Sequence, residues 1–357
     1  MTDQVRCMLM RGGTSKGAYF VGDDLPASAA ARDDLLLRIM GSPDPRQIDG
    51  IGGAHPLTSK VAVVTPSAGD DADVDYLFLQ VGVDEPLVSD RQNCGNLLAG
   101  VAPFAVERGL VTPPAGQARV RIRMLNTASL ATATMLVGDD GSPVYAGSTA
   151  ISGVPGTAAP IRLDLADTAG STCGAMLPTG HVTDELCGVT VTCIDNGMPV
   201  VVMLAADVGI SGYEDCAALE ADERLRRLLE DIRLQAGKLM NLGDVTDTTV
   251  PKLTMVAPPR DGGALCTRTF IPHRCHDAIG VLGAVSVATA ALLPGSPAAS
   301  VTELEAGATD VVVEHPTGTF EATVEIDTSG PLPAVRRSGI IRTARKLFDG
   351  VVFAREA

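Results

Sequence analysis

The hydrophobic and polar residues of the chain alternate mainly with the short period of β-strands. Apolar and β-branched runs bounded by turn residues fall at 60–65, 74–83, 118–125 and 131–137 in the first half, and at 188–195, 199–204, 252–258, 265–271, 310–315 and 320–327 in the second half. Successive side chains of a strand point to opposite faces, so a period of two with Val, Ile and Thr indicates a sheet. The pattern therefore predicts ten strands, divided between the two halves.

Four longer segments have the period of helices. The segments 27–41 and 218–240 combine an apolar stripe with a charged outer face, which is typical of helices that cover a sheet. The segments 94–109 and 278–293 are apolar on nearly every side and rich in Ala and Gly. Because a helix without a polar face must be enclosed, we expect each half to wrap strands around one such helix.

This repetition predicts an α+β fold with two pseudo-symmetric domains, each a curved sheet around a central helix. A chain of 357 residues is also long for one domain. The expected domains are 1–182 and 183–357, with the last strand or helix of the chain packing back on the first domain. A stretch rich in Gly, Thr and Ser, 167–185, is the expected hinge.

The net charge of the chain excludes some classes of binding partner. The chain has 28 basic and 43 acidic side chains and a formal net charge of −15, which disfavours nucleic acid and anionic membrane surfaces. Only 3% of the residues are aromatic and none is Trp, so base-stacking surfaces are not expected either. A small anionic metabolite remains a suitable partner if its pocket has a local positive potential.

The cysteines and the termini indicate the compartment. The eight cysteines include no CxxC pair and no tight spacing of a disulfide framework. The N-terminal residues contain too few apolar side chains for a secretory signal, and no stretch approaches the length of a membrane span. We therefore expect a cytoplasmic protein with free thiols.

Cys94 is the first candidate for chemistry. It stands between two asparagines in "NCGN", where the first enclosed helix is predicted to begin. The free N–H groups of Gly95 and Asn96 would point toward ligand oxygens, and the helix dipole favours a thiolate. The amides of Asn93 and Asn96 suit a carboxylate. A buried structural cysteine is the commoner fate of a free thiol, but the helix-opening position favours function.

Lys60 is the second candidate. It follows a Gly- and Pro-containing loop and opens the strand "KVAVVT". A lysine in this position either extends its amine to solvent at the edge of the strand or is partly desolvated inside a site, where it can act as a general base. The residues alone favour the first interpretation.

The segment "MRGGTSKG" (10–17) has a superficial likeness to a phosphate loop. It lacks the GxxxxGK[ST] spacing, so we reject a nucleotide site. Its Arg11, Thr14 and Ser15 instead offer charge and hydroxyl groups to a substrate carboxylate.

The second half contains similar groups. His273 and Arg274 precede the second enclosed helix, and Arg274 can bind a carboxylate with two hydrogen bonds. Thr317 and Gly318 in "EHPTGTF" add a hydroxyl and backbone amides. The spacing of His273, Cys275 and His276 matches no common zinc pattern, and no GxSxG elbow or nucleotide fingerprint is present. We therefore expect neither a metal nor an organic cofactor.

Longer stretches carry a resemblance that covers nearly the whole chain. They include "MGSPDPRQIDGIGGAHPLTSKVAVV", "QNCGNLLAGVAPFAVERGLV", "MNLGDVT", "FIPHRCHDAIGVLGAVSVATA" and "RTARKLFDGVV". The chain resembles the family that contains 2-methylaconitate isomerase and, within it, the 4-oxalomesaconate tautomerases and isomerases. The resemblance implies a diaminopimelate-epimerase-like fold, with Lys60 and Cys94 as an acid/base pair.

The resemblance also implies an activity. It is a 1,3-allylic proton shift, either double-bond isomerisation or keto–enol tautomerisation, in 4-oxalomesaconate during degradation of gallate or protocatechuate. The expected partner is therefore a small tricarboxylate, and the expected assembly is a homodimer. A 2-methylaconitate cis–trans isomerase is the alternative within the family, and a non-catalytic binding protein for anionic metabolites is the alternative outside it. Which carbon Lys60 or Cys94 serves, and what Cys275 and His276 do, stays open.

Overall fold

Strands and short helices alternate along the residues that this computed structural model describes, 4–90 and 93–356. The helices are α1 (Ala29–Met40), α2 (Gly95–Glu107), α3 (Cys216–Ala221), α4 (Glu223–Leu239), α5 (Val281–Leu292) and α6 (Pro297–Val301). The strands are β1 (Gln4–Gly12), β2 (Ser15–Val21), β3 (Lys60–Pro66), β4 (Val74–Val81), β5 (Val88–Ser89), β6 (Gly116–Met124), β7 (Ser129–Val137), β8 (Pro160–Leu165), β9 (Asp184–Leu186), β10 (Val189–Asp195), β11 (Pro199–Leu204), β12 (Lys252–Ala257), β13 (Leu265–Phe270), β14 (Asp310–His315), β15 (Gly318–Asp327) and β16 (Ala334–Phe353). Each of the ten predicted strands corresponds to a strand of the structure.

The chain folds as two units. Unit 1 extends to Asp164 and resumes at Ile341, whereas unit 2 is Leu165–Ile340. The long strand β16 accordingly pairs first with β15 in unit 2 and later with β1 in unit 1. The division precedes the expected boundary at 182/183 because the segment after Leu165 is bonded to unit 2.

Backbone hydrogen bonds show how this segment is held. The N–H groups of Thr172 and Cys173 donate to the carboxylate of Asp195 at 2.8 and 2.7 Å. The hydroxyl of Thr168 donates to Asn196 at 2.6 Å. The stretch that the sequence marks as a hinge is therefore anchored to the end of β10.

The two units repeat one pairing scheme. In unit 1, β1 and β2 are antiparallel, β2 and β3 parallel, β3 and β4 antiparallel, β4 and β6 parallel, and β6 and β7 antiparallel. In unit 2, β10 to β15 alternate between antiparallel and parallel pairing in the same order. A parallel pair needs a crossover, which α1 and α2 supply in unit 1 and α4 and α5 in unit 2. The predicted α+β class with two similar units is confirmed.

Each unit covers one face of its sheet with an amphipathic helix. In unit 1, Leu36 of α1 shares a core cluster with Val61 of β3. In unit 2, Leu229 of α4 shares a cluster with Leu253 of β12. Because side chains alternate along a strand, the residues before Val61 and Leu253 belong to the other face of each sheet.

The two predicted enclosed helices are enclosed. Leu97–Ala105 of α2 and Gly283–Ala291 of α5 are buried at every position. The small residues allow this, because a Cβ atom on Gly100 would overlap the phenol of Tyr19. None of the helices in the described residues combines the length and the apolar character needed to cross a bilayer.

Some elements differ from the sequence prediction. The segment 218–240 is not one helix, because Asp222 is extended, ends α3, and accepts a hydrogen bond from the N–H of Leu225 at 2.9 Å as the N-cap of α4. The residues of "MRGGTSKG", for which no strand was predicted, form the β1–β2 hairpin. The sequence predicted a last strand or helix that packs back on the first domain, but not the twenty-residue length of β16, since its Arg and Lys residues interrupt the apolar alternation.

A buried arginine joins α4 to the loop that follows it. Arg233 is fully buried, and its guanidinium donates to both carboxylate oxygens of Glu230 at 2.8 Å and to the carbonyl of Val245 at 2.7 Å. It also donates to the carbonyl of Thr248 at 3.2 Å, so its guanidinium links α4 to two carbonyls of the loop.

We expect Arg233→Met to lower the free energy of unfolding by roughly 3 kcal/mol, because it removes the cation that pairs with the Glu230 carboxylate and the donor that holds the loop after α4. Arg227→Met is the matched control on the same helix: Arg227 pairs with Glu223, and both side chains are more than 70% exposed. The control should not change the stability measurably. Urea unfolding measures both variants, and equal losses would contradict the role assigned to Arg233.

Candidate active site

The start of α2 places a buried thiol beside unsatisfied backbone N–H groups. Cys94 is the N-cap residue in an extended conformation, and its side chain makes no capping hydrogen bond. Its carbonyl accepts the first helical hydrogen bond, from the N–H of Leu98 at 3.0 Å. Only 8% of Cys94 is exposed. A helix leaves its first N–H groups without helical acceptors, so this end of α2 can bind an anion next to the thiol.

Two buried tyrosines hold the first turn of α2. The phenol of Tyr19 in β2 donates to the carbonyl of Leu97 at 2.6 Å, and that of Tyr76 in β4 donates to the carbonyl of Cys94 at 3.3 Å. Burial raises the pKa of Tyr19 and of Tyr76, and negative charge on Cys94 raises the pKa of both further. Both phenols therefore stay protonated and act as donors.

The β1–β2 turn lies against the same helix start. Gly13 has a φ of 52°, and a Cβ atom there would overlap the side chain of Asn96. The Asn96 amide donates to the hydroxyl of Thr14 at 3.0 Å. Arg11 supports the turn by donating to the carbonyls of Gly13 and Thr343 at 2.8 and 3.0 Å. The turn therefore brings Arg11 and Thr14 to the N-terminus of α2.

Three buried oxygen atoms in this region have no hydrogen-bond partner among the described residues. They are Oγ of Ser15, which is only 2% exposed, and Oδ1 of Asn93 and of Asn96. Buried polar atoms are nearly always hydrogen-bonded, so such a cluster marks a place where a polar ligand can be bound. All three residues are ones that the sequence proposed for substrate binding.

Lys60 is the first residue of β3, the strand between β2 and β4, and its amine contacts uncharged side chains. Its Nζ donates to Oε1 of Gln80 at 2.7 Å and lies 4.9 Å from the centroid of the Phe78 ring. The Gln80 amide is oriented by its donation to the carbonyl of Ser59 at 2.9 Å. Lys60 is 7% exposed, and no carboxylate in the described residues pairs with it. Its amine is therefore buried without being fixed in an ion pair.

One face of β4 connects the two candidate groups. Tyr76, Phe78 and Gln80 alternate along the strand and point to the same side, where Tyr76 contacts Cys94 and the other two contact Lys60. Same-face positions on a strand are about 7 Å apart. The structure thus places Lys60 and Cys94 next to residues of the same face of β4. Their joint role as an acid/base pair stays a prediction.

Gln80, Tyr19 and Tyr76 were not predicted from the sequence as residues of the site. Gln80 is the single amide in the apolar run 74–83, on the same face as the two aromatic residues. An amide on the core-facing side of a predicted strand is unusual, and this could have identified Gln80 as a candidate residue of a site. It could not identify the partner, because Lys60 and Gln80 meet only through the β3–β4 register.

The remaining predicted binding residues belong to unit 2. Arg274 is largely exposed and donates to Glu220 at 2.9 Å, while His273 lies 3.8 Å from Glu230. The hydroxyl of Thr317 donates to the carbonyl of Asp277 at 2.7 Å, and Gly318 opens β15. Arg274 and His273 therefore face acidic side chains of α3 and α4. Their role in substrate binding stays a prediction.

Cys275 differs from Cys94 in its surroundings. It is 7% exposed within the α4 core cluster of unit 2. Burial raises the pKa of the Cys275 thiol, and the neighbouring Cys216 raises it further. This thiol is accordingly held in its protonated form. Within residues 4–90 and 93–356, no group of three or more His, Cys, Asp or Glu side chains has an arrangement suited to a metal ion.

Comparison with protein families and curated proteins gives matches over almost the full chain. The family described as PrpF protein matches residues 2–355. The (4E)-oxalomesaconate Delta-isomerase of Novosphingobium sp. is 60% identical over 98% of both chains. The 4-oxalomesaconate tautomerase of Pseudomonas putida is 57% identical over 98% of this chain and 96% of its own. The 2-methyl-aconitate isomerase of Cupriavidus necator is 35% identical over 96% and 95%.

Solved structures agree with the fold. Methylitaconate-delta-isomerase is similar with a TM-score of 0.90 and 34% identity over 98% of this chain and 95% of that one. A hydroxyproline epimerase of Agrobacterium vitis matches with a TM-score of 0.53 over 99% and 94%, and its 14% identity makes it evidence for the fold alone. The predicted epimerase-like α+β fold is confirmed.

We expect Tyr19→Phe to lower the free energy of unfolding by about 1 kcal/mol, because it removes a short buried hydrogen bond to the first turn of α2. Tyr145→Phe is the control at the other end of this helix, where the half-buried phenol donates to Glu107 at 3.1 Å. Its loss should be smaller because water can replace the donor. Thermal unfolding compares the variants, and a larger loss for Tyr145→Phe would contradict the assignment.

Proposed function

Because the chain belongs to the PrpF protein family, we propose that it is a cofactor-independent isomerase that moves a proton by a 1,3-allylic shift in 4-oxalomesaconate. The observation that carries the proposal is the 60% and 57% identity, over 98% of the chain, to proteins named for isomerisation and tautomerisation of this compound. The arrangement of Lys60 and Cys94 supplies groups suited to that chemistry.

The reaction needs a base, an acid and a site for negative charge. A hydrogen on the carbon next to a conjugated carbonyl is acidic, because its loss gives a delocalised dienolate. The base takes this proton, and the acid returns one at the other end of the conjugated system. No electrons are gained or lost by the substrate, so proton transfer and stabilisation of the dienolate suffice.

Lys60 suits the role of base. Its buried amine has a neutral amide and an aromatic ring as partners, and no carboxylate of the described residues holds it as an ammonium ion. Cys94 suits the role of acid, because its side chain makes no capping hydrogen bond at the start of α2. Lys60 takes the proton, Cys94 donates one, and proton exchange with water then restores both groups.

The start of α2 and the β1–β2 turn suit the anionic substrate. Backbone N–H groups at Gly95 and Asn96 can stabilise charge on the dienolate oxygen or a carboxylate. The unpartnered oxygen of Ser15 can donate its proton to a second carboxylate, with Arg11 and Thr14 close by. The tricarboxylate of the proposal fits this concentration of donors.

One relative is named a Delta-isomerase and the other a tautomerase, and both reactions can proceed through the same dienolate. If the dienolate is protonated on carbon, the double bond moves; if it is protonated on oxygen, an enol tautomer forms. The relative named 2-methyl-aconitate isomerase supports the same chemistry on a smaller tricarboxylate, but its identity of 35% is much lower. A non-catalytic binding protein would have no need for an amine and a thiol directed to the same face.

The cytoplasm is the proposed setting. All eight cysteines are free thiols, as is usual in a reducing compartment. A place in degradation of gallate or protocatechuate is the corresponding proposal for the pathway. A homodimer stays a prediction.

Proton NMR in deuterium oxide tests the function directly. We expect 4-oxalomesaconate to gain deuterium at one end of its allylic system while its vinyl signals shift to those of the product. 2-Methylaconitate, assayed in parallel, should react at least tenfold more slowly. Binding of 4-oxalomesaconate without exchange or conversion would overturn the proposal in favour of a binding protein, and faster conversion of 2-methylaconitate would reassign the substrate.

Lys60→Met and Cys94→Ser should each lower kcat by about 10²–10⁴-fold, because each removes a proton-transfer group. Lys238→Met, at an exposed lysine of α4, is the matched control and should keep the wild-type rate. Circular dichroism and thermal unfolding establish that the variants are folded. A folded Lys60→Met protein with a near-normal rate would remove Lys60 from the mechanism.

Gln80→Glu tests whether Lys60 reacts as the free amine. The new carboxylate would stabilise the ammonium form, so a higher pH would be needed to generate the base. We expect the acidic limb of the kcat/KM profile to move to higher pH by about one unit, with a lower rate at neutral pH. Gln80→Met removes the same hydrogen bond without adding charge. An equal alkaline shift in both variants would show that the carboxylate is not the cause.

A further inference from the structure

A pocket opens on the surface of unit 1 where β1 pairs with the last part of β16. Its volume is about 360 Å³, which lies within the range of pockets that bind small molecules. The side chains that line it are apolar apart from one thiol, and they include Cys7, Leu9, Ile51, Phe348, Val352 and Phe353. The candidate active site does not use any of these residues.

Two phenylalanines of this pocket are unusual because they are exposed. The chain has seven phenylalanines. Phe348 is 47% exposed and Phe353 is 66% exposed, whereas none of the others is more than 7% exposed. Both exposed rings line the same pocket. Large apolar side chains gathered at a concave surface are typical of a binding site.

The ring of Phe348 forms one wall of the pocket by lying over Gly350. A Cβ atom on Gly350 would lie 2.6 Å from this ring, so a larger residue there would displace it. Gly350 pairs with Cys7, and Phe348 pairs with Leu9. Directly opposed residues of paired strands share a face, so the ring lies on the face to which Cys7 and Leu9 belong.

Three cations lie side by side next to the pocket. Arg11 of β1 pairs directly with Lys16 of β2 on one side and with Arg345 of β16 on the other. Because opposed residues share a face, the three side chains form a cationic row across the three strands. Leu9 stands two positions before Arg11 and therefore belongs to the same face as the row. The apolar pocket and the cationic row are thus adjacent on one surface.

The loop after α1 connects the row to the pocket. A Cβ atom on Gly53 would lie 3.3 Å from Nζ of Lys16, and Ile51 of the same loop lines the pocket. The N–H of Ile51 donates to the carbonyl of Ile39 at 3.0 Å. The N–H of Lys16 donates to the carbonyl of Leu57 at 3.0 Å. One anchored loop therefore holds a wall of the pocket beside the Lys16 amine.

Carboxylates of the protein do not neutralise the cationic row. Among the residues that the structure describes, the side chains of Lys16 and Arg345 form no hydrogen bond or ion pair. Arg11 donates only to backbone carbonyls. Burial lowers the pKa of Arg11, and the charge of Arg345 lowers it further. Like charges directly opposite each other destabilise a sheet, and a bound anion would remove this repulsion.

We propose that this surface of unit 1 binds a carboxylate that carries an unbranched apolar chain. The chain lies in the pocket along β1 and β16, and Lys16 and Arg345 bind the carboxylate. The arrangement suits a chain better than a compact ring, because Cys7, Leu9 and Arg11 follow one another along β1 over about 14 Å.

The proposal goes beyond the proposed isomerisation. It concerns a different ligand, which needs no allylic system, and it requires no turnover at Lys60 or Cys94. The strongest alternative occupant of the surface is a second copy of the chain. The cationic row favours an anion over a second copy, because a symmetric contact would present the same cations from both partners.

Indole fluorescence tests the pocket, since the chain contains no Trp. The variant Phe348→Trp places one indole at the wall of the pocket, and the probe is octanoate, a saturated chain with a terminal carboxylate. We expect octanoate to shift the emission to shorter wavelength, with half-saturation in the low millimolar range or below. Leu239→Trp is the matched control, because Leu239 lies on α4 of unit 2 and is 46% exposed. Its emission should not change.

Charge variants in the Phe348→Trp background test the cationic row. Lys16→Met and Arg345→Met should each weaken octanoate binding about threefold, and the double variant about tenfold, because each removes one solvent-accessible charge. Arg162→Met is the control at another exposed arginine on a strand of unit 1, and it should bind octanoate as its parent does. 1-Octanol has the same chain without the charge and should bind at least about tenfold more weakly than octanoate. Thermal unfolding establishes that the variants are folded.

Sedimentation velocity separates the ligand from a second copy. Phe348→Ser should sediment as the wild type does while losing the effect of octanoate on thermal unfolding. A smaller species for this variant alone would overturn the proposal and assign the surface to an interface between copies.

Three further outcomes would overturn the site. They are an unchanged emission of Phe348→Trp in octanoate, an equal response of Leu239→Trp, and binding of 1-octanol as tight as that of octanoate. Because octanoate cannot undergo an allylic shift, these results are independent of the isomerase assay. A protein without isomerase activity but with the expected binding would lose the proposed function and keep the site, and the reverse result would do the opposite.

Discussion

The buried N-terminus of α2 is the constraint on which the candidate active site depends. A helix that is enclosed on all sides has to satisfy its first turn within the protein, and here two tyrosine phenols bind the carbonyls of Cys94 and Leu97. The N–H groups of the same turn have no such partners from the N-cap side chain. The result is a fixed, partly dry position where a thiol and a set of backbone donors face the same region.

The repeated topology gives the two units different chemical surroundings at equivalent positions. Lys60 opens β3 and donates to an amide, Gln80, whereas Lys252 opens β12 and is half-buried, which lowers its pKa. One strand-pairing scheme thus places an amine at the same point of each sheet. The residues on the neighbouring strands then decide which groups surround each amine.

Lys60 and Lys252 differ from the arginines at the surface in whether they pair with a carboxylate. Arg274 and Arg227 bind glutamates on the surface, where such pairs contribute little to stability. Lys60 and Lys252 are more buried, and neither pairs with a carboxylate in the described residues. In a protein with a net charge of −15, an amine such as that of Lys60, kept apart from the abundant carboxylates, provides local positive potential in its unit.

The sequence by itself determined the α+β class, the strands 60–65 and 252–258 and the two enclosed helices, and it identified Lys60 and Cys94 as candidate residues. Periodicity and the chemistry of a helix start are local properties, so a local pattern can predict them. Only the tertiary structure decided that Gln80 meets Lys60, that Arg274 faces Glu220, and that β16 belongs to both units. These depend on strand register and on which residues face each other across long separations in the chain. A local pattern contains no information on such pairings, and the register alone settles which side chains become partners.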